Sequence, residues 1–161
     1  MKSTMRSLLL SIGLLFACTA CIAPASATAE SLGPQLVDNG TFDTADGWTL
    51  GYSWQILPAP GALAFHNEGY TAAIEQPTAA LTAGTTYRVS YTIGGTYAST
   101  DPRHWFRLRG STGYASCPIQ SGDGTFTCDL AAPPGVSALL IRPVYGFSGT
   151  LDDVSVREVL P

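Results

Sequence analysis

Thr85-Thr86-Tyr87-Arg88-Val89-Ser90-Tyr91-Thr92-Ile93 has a strict period of two: Tyr87, Val89, Tyr91 and Ile93 fall on one side, Thr86, Arg88, Ser90 and Thr92 on the other. Side chains alternate across a strand, so the segment is expected to be a half-buried β-strand with an aromatic and aliphatic core face. His104 to Arg109 repeats the pattern, setting Phe106 and Leu108 against Trp105, Arg107 and Arg109. Further strand-like runs lie near 36–37, 48–56, 62–66, 71–76, 114–119, 125–130, 138–144 and 150–159. Gly, Pro, Asn, Asp and Ser punctuate them at spacings of roughly eight to twelve residues, the rhythm of an all-β sandwich or barrel. With no helical period beyond the leader, the expectation is an all-β chain folded as two packed antiparallel sheets.

Ahead of this domain, residues 1–29 have the layout of a secretory signal and leader. A basic start (Lys2, Arg6) is followed by an apolar run from Leu8 to Ala17 and then by small residues. The run is shorter than the roughly 20 residues a spanning helix needs, so no transmembrane segment is expected. Two processing routes compete. Ala25-Ser26-Ala27 or Ala27-Thr28-Ala29 suits signal peptidase and release of a secreted chain, whereas Leu15-Phe16-Ala17-Cys18 resembles a bacterial lipoprotein box that would lipidate Cys18 and anchor the protein at the cell envelope. Cys21 is a weaker candidate, and both cysteines also read as apolar filler. Secretion is the favoured route.

The domain proper, 30–161, is long enough for one core. It keeps all twelve acidic residues but loses Lys2 and Arg6, so six arginines remain and its net charge is −6. An acidic chain without lysine is a poor partner for nucleic acid or an anionic membrane, where binding rests on neutralising phosphates. Cys117 and Cys128 flank the turn-forming Ser121-Gly122-Asp123-Gly124. If that turn closes a hairpin, the two cysteines oppose each other, and in an oxidising compartment they are expected to form a disulfide.

If Phe106, Leu108 and the Tyr87 set point inward, then Trp105, Arg107, Arg109 and Arg88 lie outward. An indole beside guanidinium groups suits stacking on sugar rings, hydrogen bonding to their hydroxyls and bidentate pairing with uronate carboxylates. The bland reading is that these arginines are matched by Glu75 and other acidic neighbours. Trp54 and Tyr52 are further ligand-binding candidates, since either set of their strand could face outward. No G-x-S-x-G, H-E-x-x-H or phosphate-loop motif occurs, and the adjacent Asp152 and Asp153 would point to opposite faces of a strand, so no enzyme activity is expected.

Leu36-Val37-Asp38-Asn39-Gly40-Thr41-Phe42-Asp43 with Gly47-Trp48 opens the domain, Ala83 to Tyr91 lies in its middle, and Leu151-Asp152-Asp153-Val154-Ser155-Val156 closes it. Together these segments resemble the jelly-roll carbohydrate-binding modules (galactose-binding-like fold) appended to bacterial cellulases and xylanases. The resemblance implies a jelly roll and a polysaccharide or other glycan as partner. It also implies a structural calcium held by the Asp43 carboxylate, the Thr41 carbonyl and Asp152, although the family has Glu where Asp43 stands. Oxygen ligands at a sheet edge suit such a hard cation, while Asp43 and Asp152 read equally well as turn caps. A structural or adhesion module binding a protein or a cell surface through the same sheet is the competing class.

Overall fold

Alternation in the sequence becomes alternation in burial: along β5 (Thr86–Gly94), Tyr87, Val89, Tyr91 and Ile93 are buried and the residues between them are not. The computed structural model describes residues 30–52, 54–57, 63–66, 73–78, 81–95, 103–143 and 148–161, with backbone alone at 63–66, 103, 105, 143 and 148. The expected leader, Cys18 and Cys21 lie outside the described residues.

Eleven strands are present among these residues. They are β1 (Ser31–Gln35), β2 (Trp54–Ile56), β3 (Leu63–His66), β4 (Ile74–Pro77), β5, β6 (Arg103–Arg109), β7 (Tyr114–Ser116), β8 (Gln120–Ser121), β9 (Gly124–Ala131), β10 (Ala138–Pro143) and β11 (Ser148–Leu160). They form two antiparallel sheets. One has six strands in the order β2-β3-β11-β5-β9, with β1 also paired to β11; the other has five in the order β4-β10-β6-β7, with β8 also paired to β6. The chain is therefore an all-β, two-sheet sandwich, as its two-residue rhythm implies. Phe106 and Leu108 from β6 and Leu139 and Ile141 from β10 meet Tyr87, Val89, Tyr91, Leu151 and Val156 in the core between the sheets. No helix of the described residues is long and apolar enough to cross a membrane.

Cys117 and Cys128 are bonded, but not across a hairpin. β8 pairs with Arg103 and His104 of β6, whereas β9 runs the length of β5 from Ile93↔Gly124 to Thr86↔Ala131. Because β9 gains a long ladder in the other sheet, the 121–124 turn passes the chain between layers. The bond, with Cα atoms 5.9 Å apart, thus clamps the edge of the five-stranded sheet to the edge of the six-stranded one.

The opening and closing segments meet as the sequence suggests. Val154 N–H donates to Gly40 C=O at 2.9 Å, and a Cβ at Gly40 would collide with the Val154 carbonyl, so only glycine fits there. The 39–48 loop is fixed from within. Asn39 Nδ2 donates to Thr44 O at 2.6 Å, Trp48 Nε1 donates to Asn39 O at 3.0 Å, and the Phe42 and Trp48 rings sit 4.9 Å apart. Phe42 is fully buried with φ 54°, a costly conformation for a bulky residue that the surrounding packing enforces.

Candidate functional site

β6 turns His104, Phe106 and Leu108 inward, so Arg107 and Arg109 stand on the outer face of the five-stranded sheet. Register places their neighbours: Leu140 of β10 lies between Glu75 and Arg107, Arg107 is opposite Ser116, and Arg109 is opposite Ala138 on one side and Tyr114 on the other. Trp105 pairs with Arg142 in the next row; the Trp105 side chain lies outside the described residues. This face therefore brings Arg107, Arg109, Arg142, Glu75 and Tyr114 together around β10.

Arg109 on β6 reaches Glu75 on β4 with both arms of its guanidinium: Nη1 donates to Oε2 at 2.9 Å and Nη2 donates to Oε1. Since β10 lies between those strands, the pair spans it. Ala138 and Leu140, on the outward side of β10, lie in the rows that the pair straddles and are only 1% and 9% exposed. The floor of the face is thus apolar and its rim charged. Arg107 lies with its guanidinium carbon 5.2 Å from the centre of the Tyr114 ring, within cation–π range, and that ring is half exposed. The Arg107 guanidinium is held below the ordinary arginine range, chiefly by burial and then by the like charge of Arg142, against an opposing contribution from Tyr114. Two cations beside an aromatic ring, over an apolar strip, can stack on a pyranose ring and fork onto carboxylates or hydroxyls.

Two expected members do not join this face. Arg88 lies on β5 in the six-stranded sheet, facing away from the core on the opposite side of the sandwich. There Nε and Nη2 donate to the two oxygens of Asp129 at 2.8 and 2.7 Å, and Nη2 also pairs with Glu30 at 2.6 Å. The alternation that put it outward was right, but strands sharing a pattern need not share a sheet. Trp54 is 6% exposed and belongs to the core, because β2 turns Gln55 outward instead. Tyr52 is 77% exposed, on the segment running from Thr49, which bridges to Glu75 of β4, to β2 in the other sheet.

Arg142 and Tyr114 escaped the sequence reading. Ala138-Leu139-Leu140-Ile141 is an unbroken apolar run that hides the two-residue period, so nothing in the sequence marks Arg142 as the outward residue two places after Leu140. Tyr114 needed the β6–β7 register. His104 is buried between the sheets against the rings of Tyr91 and Phe126. Burial also pushes the Tyr91 phenol up.

At the meeting of the opening loop with β11, a bulge between Asp152 and Ser155 leaves Asp153 at φ 52°. Asp152 accepts a hydrogen bond from its neighbour's N–H at 2.7 Å. Its carboxyl is held above the ordinary range, first by burial and then by the charges of Asp153 and Asp43, the Asp153 N–H opposing. Asp43 in turn accepts from Thr41 Oγ1 at 2.8 Å. Among the described residues no three acidic, histidine or cysteine side chains cluster as a metal site.

No protein-family model matches the chain, and no curated protein sequence does. Solved structures resemble it in fold. The CBM22-1 xylan-binding domain of Paenibacillus barcinonensis Xyn10C is 14% identical with a TM-score of 0.62, the match covering 83% of this chain and 99% of that one. The N-terminal cellulose-binding domain of Cellulomonas fimi β-1,4-glucanase C is 16% identical with a TM-score of 0.56, covering 75% and 94%. An arabinose-bound MgGH51 α-L-arabinofuranosidase gives 13% and 0.60, and this chain, matched over 81% of its length, spans only 27% of that enzyme. The chain has the jelly-roll fold of carbohydrate-binding modules.

Proposed function

We propose that this is an exported, non-catalytic carbohydrate-binding protein whose ligand lies on the outer face of the five-stranded sheet and carries acidic sugars. The observation that supports this most directly is the meeting of Arg107, Arg109 and Arg142 with the exposed Tyr114 ring over the buried Ala138 and Leu140, on a chain whose overall charge is negative. Concentrating positive charge on one face of an acidic protein serves recognition of an anion rather than solubility. Xylan-binding and cellulose-binding modules among the fold neighbours, and one TmCBM61 solved with β-1,4-galactotriose, agree with a glycan ligand. Trp105, on the same strand, is a further member of the binding set, and export follows from the leader. The carboxylates of Glu75 and Asp129 are engaged by Arg109 and Arg88, which favours binding over acid–base chemistry.

Calcium would be held by the Asp43 carboxylate, the Thr41 carbonyl and Asp152. The donor chemistry fits in part: burial and the nearby charges of Asp153 and Asp43 raise the cost of ionising Asp152 there, and a hard cation would relieve it. When bound, such an ion would pin the opening loop to β11.

Affinity electrophoresis in gels holding polygalacturonate, glucuronoxylan or neutral xyloglucan tests the reading. Retardation by the acidic polymers, reduced in Arg107→Ala, Tyr114→Ala and Trp105→Ala, is expected. Free migration of the wild type in every gel would leave the protein-binding adhesion class in its place.

A further inference from the structure

We propose that Glu75 is the selectivity residue of this face: its carboxylate occupies Arg109 as an internal counter-ion, and an acidic sugar must compete with it. The inference rests on the acidic-glycan reading above and assigns the regulation of that same site. A carboxylate bound by both arms of a guanidinium is the arrangement a uronate would adopt on Arg109. Glu75 supplies that arrangement from within the chain, reaching across β10 between Ala138 and Leu140.

The pair is built to open without unfolding. Glu75 is held by its main chain, through Thr49 N–H to Glu75 C=O at 2.7 Å and Glu75 N–H to Thr49 C=O at 3.0 Å, so its side chain can swing while β4 stays paired. The two side chains are 38% and 27% exposed, within reach of a ligand and of water. On the opposite sheet Arg88 is matched by two carboxylates, Asp129 and Glu30, with Arg157 opposite it on β11. Among the described residues Arg109 is matched by one, and it stands on the strand that also presents Arg107. A ligand carboxylate arriving at Arg109 therefore meets repulsion from Glu75, which already holds both arms of that guanidinium. Neutral sugars meet no such penalty, and the planar Arg109–Glu75 pair offers them donors and acceptors together.

Isothermal titration of wild type, Glu75→Gln, Arg109→Gln and the double variant with pentagalacturonate and with its fully methyl-esterified form decides the matter. Gln keeps the size of Glu75 and removes only its charge. Glu75→Gln is expected to tighten pentagalacturonate binding by about three- to tenfold, with a steeper dependence on salt, and to leave the methyl ester within about twofold. In the Arg109→Gln background the gain should shrink. If the wild type binds pentagalacturonate and Glu75→Gln binds no tighter, the proposal is wrong while the binding face stands. An undiminished gain in the Arg109→Gln background would also overturn it, because Glu75 would then act by general repulsion. If neither wild type nor Glu75→Gln binds either probe, the face and the proposal fall together. Should Glu75→Gln melt much earlier than wild type, Glu75→Ala at the same salt supplies the second comparison.

Discussion

Both outer faces of the sandwich present arginine, and they use it in opposite ways. On the six-stranded sheet Arg88 is forked onto Asp129 and paired again with Glu30, the residue just before β1, so its charge is spent tying three segments together. On the five-stranded sheet Arg107 lies over the Tyr114 ring and within the field of Arg142, and Arg109 shares a single carboxylate among the described residues. A cation surrounded by carboxylates of its own chain has little left to offer a ligand. One that lies over an aromatic ring, with the charge of a second arginine acting on it, sits in a more positive field. Residue type alone does not separate a structural arginine from a recognition arginine; the sign of its neighbours does.

The largest effect should come from the link that keeps the two faces in register. Replacing Cys117 and Cys128 by Ser removes the clamp between β7's edge and β9, at a cost of about 3 kcal/mol on chain-entropy grounds and a fall in Tm of roughly 10 °C. Because Cys117 follows the strand bearing Tyr114, glycan binding measured well below the melting transition should weaken as well. A double variant that melts lower but binds as wild type does would show that β7 holds Tyr114 in place without the bond.

Next comes the contrast between the arginines themselves. Arg107→Ala should weaken binding of an acidic oligosaccharide by about tenfold, as expected of an anchor on a desolvated patch, and barely move Tm. Arg88→Ala should do the reverse: a lower Tm at neutral pH and low salt, and unchanged binding. Its pH dependence has a definite sign. The hydrogen bond from Arg88 holds the Asp129 carboxyl below the ordinary range, so this contribution is full above the unfolded value and is lost as pH falls through the folded one. The difference in Tm between Arg88→Ala and wild type should therefore vanish in acid and shrink in high salt. Equal loss of binding in both variants would erase the distinction between the faces.

What the sequence made legible follows from the range of each interaction. The half-buried strands around Tyr87 and Phe106 announce themselves by alternation, since each is wet on one side. β10 does not, because its outward Ala138 and Leu140 lie under the Arg109–Glu75 pair and its period is erased. Whether Arg88 and Arg107 share a face depends on which sheet each strand enters, a matter of long-range pairing to which local pattern is blind. The disulfide illustrates the same limit. The right partners were reached from export and from a hairpin expected at the turn between them, and that hairpin is what the longer β5–β9 ladder overrides. Glu75 was legible as a partner for the arginines in general, and the register assigns it to Arg109.

The smallest expected effect lies at the edge where the opening loop meets β11. Burial, with Asp153 and Asp43 adding to it, holds the Asp152 proton more tightly in the folded chain than in the unfolded one. Its contribution to stability is thus greatest below the unfolded value and is lost as pH rises from there through the folded one, the opposite sense to Asp129. Asp152→Asn should accordingly raise Tm by about 3 °C or less at neutral pH in the presence of chelator, and have no such effect in acid. Calcium added to wild type would raise Tm in the same direction by screening the same charges, and the Asn variant would respond less to it. If chelator and calcium leave the wild-type melting curve unchanged while Asp152→Asn still stabilises, the carboxylates here serve the bulge alone, and the loop owes its order to the Asn39 hydrogen bonds and the Phe42–Trp48 contact.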